Sequence, residues 1–141
     1  MELSKYDSLS SSESLLLVKD PDNNQLTYSG ADGEPLPVSI ALVCSDSPEY
    51  VRVYKNQITE IADRASSRKG KAITGESAAR DKLDLLVACT KGWLGFTLNG
   101  AVLPYSAVNA RMLYTRYAFI REQVDTFVHE RGNFLASDLT N

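Results

Sequence analysis

The hydrophobic pattern of this chain changes its period once, near residue 45, and this change constrains the fold more than any other feature. Before that point, apolar residues occur in short runs separated by Asn, Asp, Gly and Pro, which is typical of short β-strands joined by turns. After it, apolar residues recur every three or four positions, which is typical of amphipathic helices. The sequence therefore predicts an α+β fold that is mainly α, in a single domain.

Short apolar runs mark the N-terminal part of the chain, at residues 15–18, 26–28 and 38–43. Turns rich in Asn, Asp, Gly and Pro separate them, so residues 14–44 are predicted to form a β-hairpin or small meander. Because an isolated hairpin is only marginally stable in water, this unit must pack on helices or on another subunit. Residues 1–13 are polar and rich in serine, and we expect a loose N-terminal segment there.

A helix over residues 48–67 is predicted directly after the change of pattern. Ser47 suits the N-cap, Pro48 suits the first helical position, and Glu49 complements the positive end of the helix dipole. The apolar positions recur at helical spacing and form one stripe: Val51, Tyr54, Ile58, Ile61 or Ala62, and Ala65. Charged residues on the other side face water: Arg52, Lys55, Glu60, Asp63 and Arg64.

Three further amphipathic helices complete the predicted helical body, residues 45–135. The second covers about 77–91, where Gly92 closes it in a left-handed conformation and Trp93 folds back onto it. The third begins after Ser106, a good N-cap, and the fourth follows it at once.

The dipeptide Asn99-Gly100 is the strongest short signal for a two-residue hairpin turn, and it lies between two short apolar stretches. It predicts either a very small hairpin or an ordered loop before the third helix. Residues 136–141 are expected to form a frayed C-terminus.

The net charge of the 141 residues is −3, which argues against a nucleic-acid binder because such proteins present basic surfaces. Residues 1–44 hold seven acidic residues and two lysines, a local charge of −5, so the rest of the chain carries +2. This imbalance indicates either a solvated surface or an electrostatic bias between parts of the fold or between copies. The basic residues 64–71 lack the spacing of a phosphate-binding loop and are interpreted as a solvated linker.

Cys44 and Cys89 each stand alone in an apolar run, and both are predicted to be small buried hydrophobes rather than halves of a disulfide. No apolar run reaches the ~18 residues of a membrane span, and the N-terminal segment lacks the pattern of a secretory signal. We therefore expect no membrane contact and synthesis in the cytoplasm.

Candidate catalytic groups are few. His129 is the only histidine, so neither a histidine-based triad nor a multi-histidine metal site can form within one chain. Its place near a predicted helix end suits a solvent-facing or capping role. Two carboxylate pairs, Asp81 with Asp84 and Glu122 with Asp125, lie among basic residues as helix-surface ion pairs do. We expect no catalytic site, no metal and no cofactor, and a function in protein binding.

Several short motifs occur together along the chain: Ser47-Pro48-Glu49-Tyr50, LLVACTKGW over 85–93, Leu103-Pro104-Tyr105-Ser106 followed by Asn109-Ala110-Arg111 and Leu113-Tyr114, Ile120-Arg121-Glu122-Gln123-Val124-Asp125, and Asn133-Phe134. In this combination they resemble the small tail assembly chaperones encoded by long-tailed bacteriophages and prophages. The resemblance covers roughly residues 37–135, and residues 1–35 do not match the family pattern.

This resemblance implies an α-helical, self-associating protein without catalytic residues. A chaperone of this family binds the tape measure protein and keeps that long hydrophobic helix soluble while tail tube subunits assemble around it. The implied partners are the tape measure protein and, as a second candidate, the tail tube protein. The implied site of action is the host cytoplasm.

A role of this kind requires an exposed apolar groove with a polar rim. Aromatic residues and arginines crowd the C-terminal part of the chain, a composition typical of interface centres, although a core stripe with ordinary surface arginines has the same composition. The candidate partner-binding residues are Trp93, Phe96, Tyr105, Tyr114, Arg116 and Phe119. The alternative function is a structural virion subunit, such as a tail-completion or head–tail joining protein.

Overall fold

Four α-helices are the largest elements of the computed structural model, which describes residues 1–6, 12–66 and 75–135. They are α1 (Pro48–Ser66), α2 (Gly75–Cys89), α3 (Ala107–Arg116) and α4 (Ala118–His129). The first three begin and end within about two residues of the predicted limits, and the fourth follows the third as predicted. Ser47 and Ser106 cap α1 and α3 as predicted, because their hydroxyls accept the N–H groups of Tyr50 and Asn109.

Seven short strands are found in the described residues: β1 (Ser14–Leu17), β2 (Thr27–Ser29), β3 (Pro35–Pro37), β4 (Ser39–Leu42), β5 (Thr90–Leu94), β6 (Thr97–Leu98) and β7 (Ala101–Val102). An antiparallel sheet holds β1, β4 and β5, with β4 in the centre. The pairs β2–β3 and β6–β7 form two separate antiparallel ribbons. The predicted α+β class, mainly helical with strands at the N-terminus, is confirmed.

Three segments of the N-terminal part meet at a ring of backbone hydrogen bonds. Val18 N–H donates to Val38 O at 2.9 Å, Leu26 N–H donates to Val18 O at 3.0 Å, and Val38 N–H donates to Leu26 O at 2.9 Å. Val18 and Val38 are buried there, so the ring satisfies peptide groups that would otherwise lose water without replacement. The ring holds the β1–β4 pair and the β2–β3 ribbon against each other.

The acidic residues of the N-terminal part stabilise its turns. A carboxylate oxygen of Asp20 accepts the N–H groups of Asp22 and Asn24, both at 2.9 Å. Glu34 accepts the N–H of Asp32 at 3.0 Å in the following turn. Local side-chain bonds of this kind are the reason that Asp is common in turns, and they account for part of the acidic excess seen in the sequence.

Strand β5 was not predicted. The sequence pattern placed residues up to 91 in a helix and gave Gly92 a left-handed capping role, but the helix ends at Cys89 and the chain continues as a strand. Gly92 lies in β5 opposite Ala41 of β4, and Trp93 lies opposite Ile40. The prediction was wrong because β5 owes its conformation to pairing with a distant strand, which local periodicity does not reveal. The predicted helical body therefore supplies one strand of the N-terminal sheet.

The small hairpin predicted at Asn99-Gly100 is present. Asn99 and Gly100 have φ angles of 54° and 83°, which the tight turn between β6 and β7 requires. Thr97 pairs with Val102, and Leu98 pairs with Ala101. Of the two alternatives, a hairpin or an ordered loop, the hairpin is the observed one.

The core lies between one face of the three-stranded sheet and helices α2, α3 and α4. Leu16, Ile40 and Trp93 are register neighbours on that face. Val43 N–H donates to Cys89 O at 2.9 Å, which joins the end of the central strand to α2. The helices contribute buried side chains at helical spacing: Leu86, Cys89, Ala110, Leu113, Tyr114, Ile120, Val124 and Val128.

Both cysteines are buried and form no disulfide with each other, as predicted. Leu3–Tyr6 forms a 3₁₀ turn, and Leu3 is exposed. The remainder of the predicted loose segment includes residues 7–11, which lie outside the described residues, as do residues 136–141, predicted to fray. Within the described ranges, no helix combines the length and apolar character needed to cross a bilayer.

Helix α1 buries none of its 19 residues. It packs antiparallel to α2, where the Gln57 side chain donates to Asp81 O at 2.7 Å, and Glu49 pairs at 3.5 Å with Lys91 of β5, just beyond the end of α2. An amphipathic stripe ordinarily faces the core, but here the stripe residues Tyr54 and Ile58 are each 48% exposed. The helix was predicted correctly, and its apolar stripe lies largely on the surface.

A buried polar chain links the sheet to two helices and generates a stability prediction. The Tyr114 hydroxyl lies 2.7 Å from Thr90 Oγ1, and the Thr90 hydroxyl donates to Leu86 O at 2.8 Å. We expect Tyr114→Phe to lower the free energy of unfolding by about 1 kcal/mol and Tyr114→Ala by about 3–5 kcal/mol. Urea denaturation followed by circular dichroism measures both values. Tyr54→Phe, at a half-exposed site, is the matched control and should change nothing measurable.

Alkaline pH should destabilise the fold through Cys89. Burial raises the pKa of the Cys89 thiol from 9.0 to about 12, and burial also raises the pKa of Tyr114. Below pH 9 the thiol is protonated in both states, and its effect on stability is constant. Between pH 9 and 12 the unfolded chain ionises while the folded chain resists ionisation, so stability falls as pH rises. Melting temperatures measured from pH 8 to 11 should decline less steeply for Cys89→Ala than for the wild type; equal slopes would contradict the prediction.

Candidate functional site

Three of the predicted partner-binding residues form one aromatic cluster at the end of the sheet. The Trp93 ring centroid lies 5.5 Å from that of Phe96 and 5.3 Å from that of Tyr105, and both rings meet it edge-on. Trp93 Nε1 donates to Leu103 O at 2.9 Å, and the Tyr105 hydroxyl donates to Thr90 O at 2.7 Å. Each polar atom of the cluster is thereby satisfied, and the rings are held in fixed orientations.

Gly95 is the local reason that the chain can form this cluster. Its φ of 100° lies in the region that favours glycine, and it turns the chain between β5 and β6. A Cβ atom at this position would lie 2.4 Å from the Tyr28 ring. The close approach of Tyr28 therefore requires glycine, and the turn sets Phe96 beside Trp93.

An apolar groove of about 210 Å³ lies next to the cluster, between the β6–β7 ribbon and helices α3 and α4. Phe96 and Phe119, two of the predicted residues, both line it. The other lining residues are almost all apolar: Leu26, Thr97, Leu98, Leu103, Met112, Leu113, Tyr117 and Ile120. A concave apolar surface of this kind is suited to one or two apolar side chains of a partner.

Arg116 supplies positive charge close to this groove. Its guanidinium carbon lies 5.4 Å from the centroid of the Tyr117 ring, and the Tyr117 and Phe119 rings meet at 6.4 Å. Tyr117 also lines the groove, and Arg116 is exposed. A cation over an aromatic ring at an exposed site contributes about 0.5–1 kcal/mol. This contact with the Tyr117 ring holds the Arg116 guanidinium near the groove and leaves its N–H groups available to a partner.

Tyr114 does not belong to the site. Its side chain is fully buried in the core, and its hydroxyl bonds to Thr90. The prediction that Tyr114 lines a partner groove is therefore wrong. The spacing of Ala110, Leu113 and Tyr114 marks the buried face of α3, while Met112 of the same helix reaches the groove.

Sequence reasoning missed several groove residues. Met112 lies in the predicted third helix, and the orientation of that helix places it at the groove. Leu103 follows β7, and its N–H donates to Phe96 O at 2.9 Å, which holds it beside the groove. Leu26 comes from the N-terminal part, and the ring of hydrogen bonds with Val18 and Val38 brings it there. No local signal could have identified Leu26, because its position depends on contacts between distant segments.

A second, larger cavity of about 650 Å³ lies between β1 and α4. The Gln123 side chain crosses this region, accepting Lys19 N–H and donating to Lys19 O, both at 2.8 Å. Charged residues contribute to its lining, among them Asp20 and Glu122, and it is broadly open. The smaller groove is the better candidate for binding an apolar partner, because its lining is apolar and aromatic.

A polar cluster joins the start of α1 and the middle of α2 to the C-terminal part of α4. Tyr50 Oη lies 3.1 Å from His129 Nε2, His129 Nδ1 lies 2.8 Å from Asp125 O, and Lys82 pairs with Asp125 at 2.6 Å. His129 is exposed at the end of α4, as predicted, and its ring also bridges α4 to Tyr50 of α1. Tyr50, His129 and Asp125 line neither of the two cavities described above.

Two further carboxylates form surface ion pairs. Asp84 pairs with Arg111 of α3, and Asp46 accepts two bonds from Arg131. In the parts of the chain that the structure describes, no group of three or more His, Cys, Asp or Glu side chains is arranged to hold a metal ion.

Fold and groove together define a small α+β protein with an aromatic-lined apolar groove. Comparison with known proteins finds no matching protein-family model, no similar curated protein and no similar solved structure. The groove residues and the exposed apolar surfaces are therefore the basis on which a function is inferred.

Trp93 is the only tryptophan of the chain, and its half-buried position predicts a structural role. We expect Trp93→Ala to lower the free energy of unfolding by about 2–4 kcal/mol, because it removes the centre of the aromatic cluster. Trp93→Phe should cost about 1 kcal/mol, chiefly through the lost bond to Leu103 O. Leu94→Ala, at a neighbouring position that is 60% exposed, serves as the control. Denaturation curves in which Trp93→Ala matches Leu94→Ala would contradict this role.

Proposed function

We propose that this chain is a tail assembly chaperone of a long-tailed bacteriophage or prophage. It binds the tape measure protein in the host cytoplasm and keeps it soluble until tail tube subunits assemble. The protein performs no catalysis in this role, requires no metal or cofactor, and contacts neither nucleic acid nor membrane. The tail tube protein is a second candidate partner.

The observation that carries the proposal is the convergence of the resemblance motifs on one groove. Leu103 and Leu113 belong to one motif segment and Ile120 belongs to another, and all three residues line it. Trp93 and Tyr105, from two of the motif segments, pack in the aromatic cluster beside it. Motifs that are scattered in sequence thus contribute to a single apolar surface, as expected when their shared purpose is to bind a partner.

The size of the groove supports a protein partner over a small-molecule substrate. Its volume of about 210 Å³ is below the roughly 300–1,000 Å³ of sites that enclose small molecules. It can receive one or two side chains from the apolar face of a helix, the mode in which amphipathic helices bind to grooves. Aromatic residues and arginine are also the residue types that contribute most to binding energy at protein interfaces.

A long helical partner requires several copies of this chain. One groove of this size covers only a short section of a helix, because each turn of a helix advances 5.4 Å. The tape measure protein is long by nature, so its apolar face is covered only by repeated binding. The contact is chiefly hydrophobic, and moderate salt should not dissociate it.

Coexpression tests the proposal. The tape measure protein encoded with this chain should move from the insoluble to the soluble fraction when the two are coexpressed, and the two should copurify with several copies of this chain per tape measure protein. Met112→Glu should reduce copurification by about ten-fold, because it places a charge in the apolar groove. The matched control is Val108→Glu, also on α3, whose side chain is 78% exposed and does not line the groove.

Two results would contradict the proposal. If Met112→Glu and Val108→Glu copurify equally well while both remain folded, the groove is not the binding surface. Recovery of this chain in fixed, stoichiometric amount from purified virions, measured by mass spectrometry, would instead support the alternative of a structural virion subunit. A chaperone leaves the assembled particle, so its expected amount there is near zero.

A further inference from the structure

Strand β1 lies at the edge of the three-stranded sheet, and β4 pairs with only one of its two sides. The strand contains neither a charged residue nor a proline, the residue types that usually protect an exposed edge. Leu15 is 60% exposed and Leu17 is 47% exposed. An edge of this kind can accept a further strand from a partner.

The hydrogen bonds just after β1 show which side of the strand each peptide group faces. Val18 N–H donates to Val38 O, and Val18 O accepts Leu26 N–H, so both groups of Val18 point towards the sheet and the adjoining ribbon. Both groups of Lys19 point the other way: its N–H donates to the Gln123 side chain, and its carbonyl accepts from the same side chain, each at 2.8 Å. The two sides therefore alternate from one residue to the next.

This alternation continues back through β1, because successive residues of an antiparallel strand direct their peptide groups to opposite sides. The N–H and C=O of Leu17 and Leu15 therefore point to the same outer side as those of Lys19. The amide of Gln123 bonds to Lys19 with one donor and one acceptor, as a peptide group of a neighbouring strand would. Within the described ranges, no strand pairs with the outer side of β1 at Leu17 and Leu15.

The cavity of about 650 Å³ provides space beside this edge. Leu17 lines it on the β1 side, and residues of α4 line it on the other side. The half-buried rings of Phe119 and Phe127 supply its apolar part, and the exposed carboxylates of Glu122 and Glu130 lie along the same helix. Side chains of an added strand that point towards α4 would enter this cavity.

The charges that line the cavity favour a basic occupant. Asp20, Glu122 and Glu130 are acidic and only Lys19 is basic, so three negative charges and one positive charge give a balance of −2. Glu122 and Glu130 form no ion pair among residues 1–6, 12–66 and 75–135. A lysine or arginine can lay its apolar stem along the phenylalanine rings and bring its charge to these carboxylates.

We propose that the outer edge of β1 binds an extended segment of a partner protein that carries lysine or arginine at every second position. The segment adds as a strand by exchanging hydrogen bonds with the outward peptide groups of Leu15 and Leu17. Because side chains alternate along a strand, its basic residues enter the cavity, and the residues between them lie beside the exposed leucine side chains. Apolar residues suit those intervening positions. The inference does not rest on the proposed function, because it concerns a different surface and a partner of different chemistry.

A synthetic peptide of eight alternating valine and lysine residues, capped at both ends and labelled with a fluorophore, is a suitable probe. Valine favours the extended conformation, and lysine supplies the required charge. Fluorescence anisotropy with the full chain should show saturable binding. The matched peptide of valine and glutamate should bind at least ten-fold more weakly, because its carboxylates would face Glu122 and Glu130. Absence of binding by the lysine peptide, or equal binding of the two peptides, would overturn the proposal.

Substitution at Leu17 tests the hydrogen bonding of the main chain. Leu17→Pro removes an N–H that points outward, and a sheet edge tolerates proline at such a position. It should weaken binding of the lysine peptide at least ten-fold, whereas Leu17→Ala keeps the N–H and should change binding by no more than about two-fold. Circular dichroism verifies the fold of both variants. Equal affinities of the two folded variants would exclude strand addition.

Hydrogen exchange on the unmodified chain gives the same information without a variant. The amide protons of Leu15 and Leu17 should exchange more slowly when the lysine peptide is bound, because they gain acceptors. The amide proton of Val18 already donates to Val38 O and should be protected equally with and without the peptide. Unchanged exchange at Leu15 and Leu17 under saturating peptide would contradict the proposed geometry.

Charge reversal separates the cavity from a general attraction to an acidic protein. Glu122→Lys/Glu130→Lys should weaken binding of the lysine peptide at least ten-fold and strengthen binding of the glutamate peptide. The control, Glu60→Lys/Glu76→Lys, changes the net charge equally at two exposed positions that do not line the cavity, and it should have little effect. Equal weakening by the two double variants would overturn the proposal. So would a wild-type dimer in sedimentation equilibrium that Leu17→Pro abolishes, because a second copy would then occupy the edge.

Discussion

The ring of backbone hydrogen bonds among Val18, Leu26 and Val38 is the constraint on which the rest of this fold depends. Each peptide N–H in it donates to the next segment, so no segment can shift without leaving a buried polar group unpaired. The register of β1 on β4 begins one residue away, where Leu17 pairs with Ser39. The same ring places Leu26 at the groove. The β1–β4 pair and the β2–β3 ribbon are thereby fixed relative to the groove.

A second constraint connects the sheet to the helices through Thr90. Its side chain donates to Leu86 O of α2 and lies within hydrogen-bond distance of the Tyr114 hydroxyl of α3, while its carbonyl accepts the Tyr105 hydroxyl. One residue at the start of β5 thus positions two tyrosines with opposite roles. Tyr114 becomes a buried core residue, and Tyr105 becomes part of the aromatic cluster beside the groove.

Local signals predicted much of this structure. Capping residues and helical periodicity located the helices, and Asn99-Gly100 located the β6–β7 turn, because these features depend on neighbours within a few residues. Strand β5 escaped prediction because its pairing partner lies some 50 residues away. For the site, periodicity cannot distinguish a core aromatic from a groove aromatic, which is why the buried Tyr114 was grouped with Phe96 and Phe119, which line the groove.

The small size of the groove has a physical consequence for binding a long partner. The groove lies between β6–β7 and α3–α4 and receives one or two apolar side chains, so each contact is weak by itself. Under the proposed function, many copies bind along one repetitive apolar helix, and together they cover its apolar face although each copy dissociates readily. Binding of this kind stays reversible site by site, as is required of a chaperone that tail tube subunits must displace.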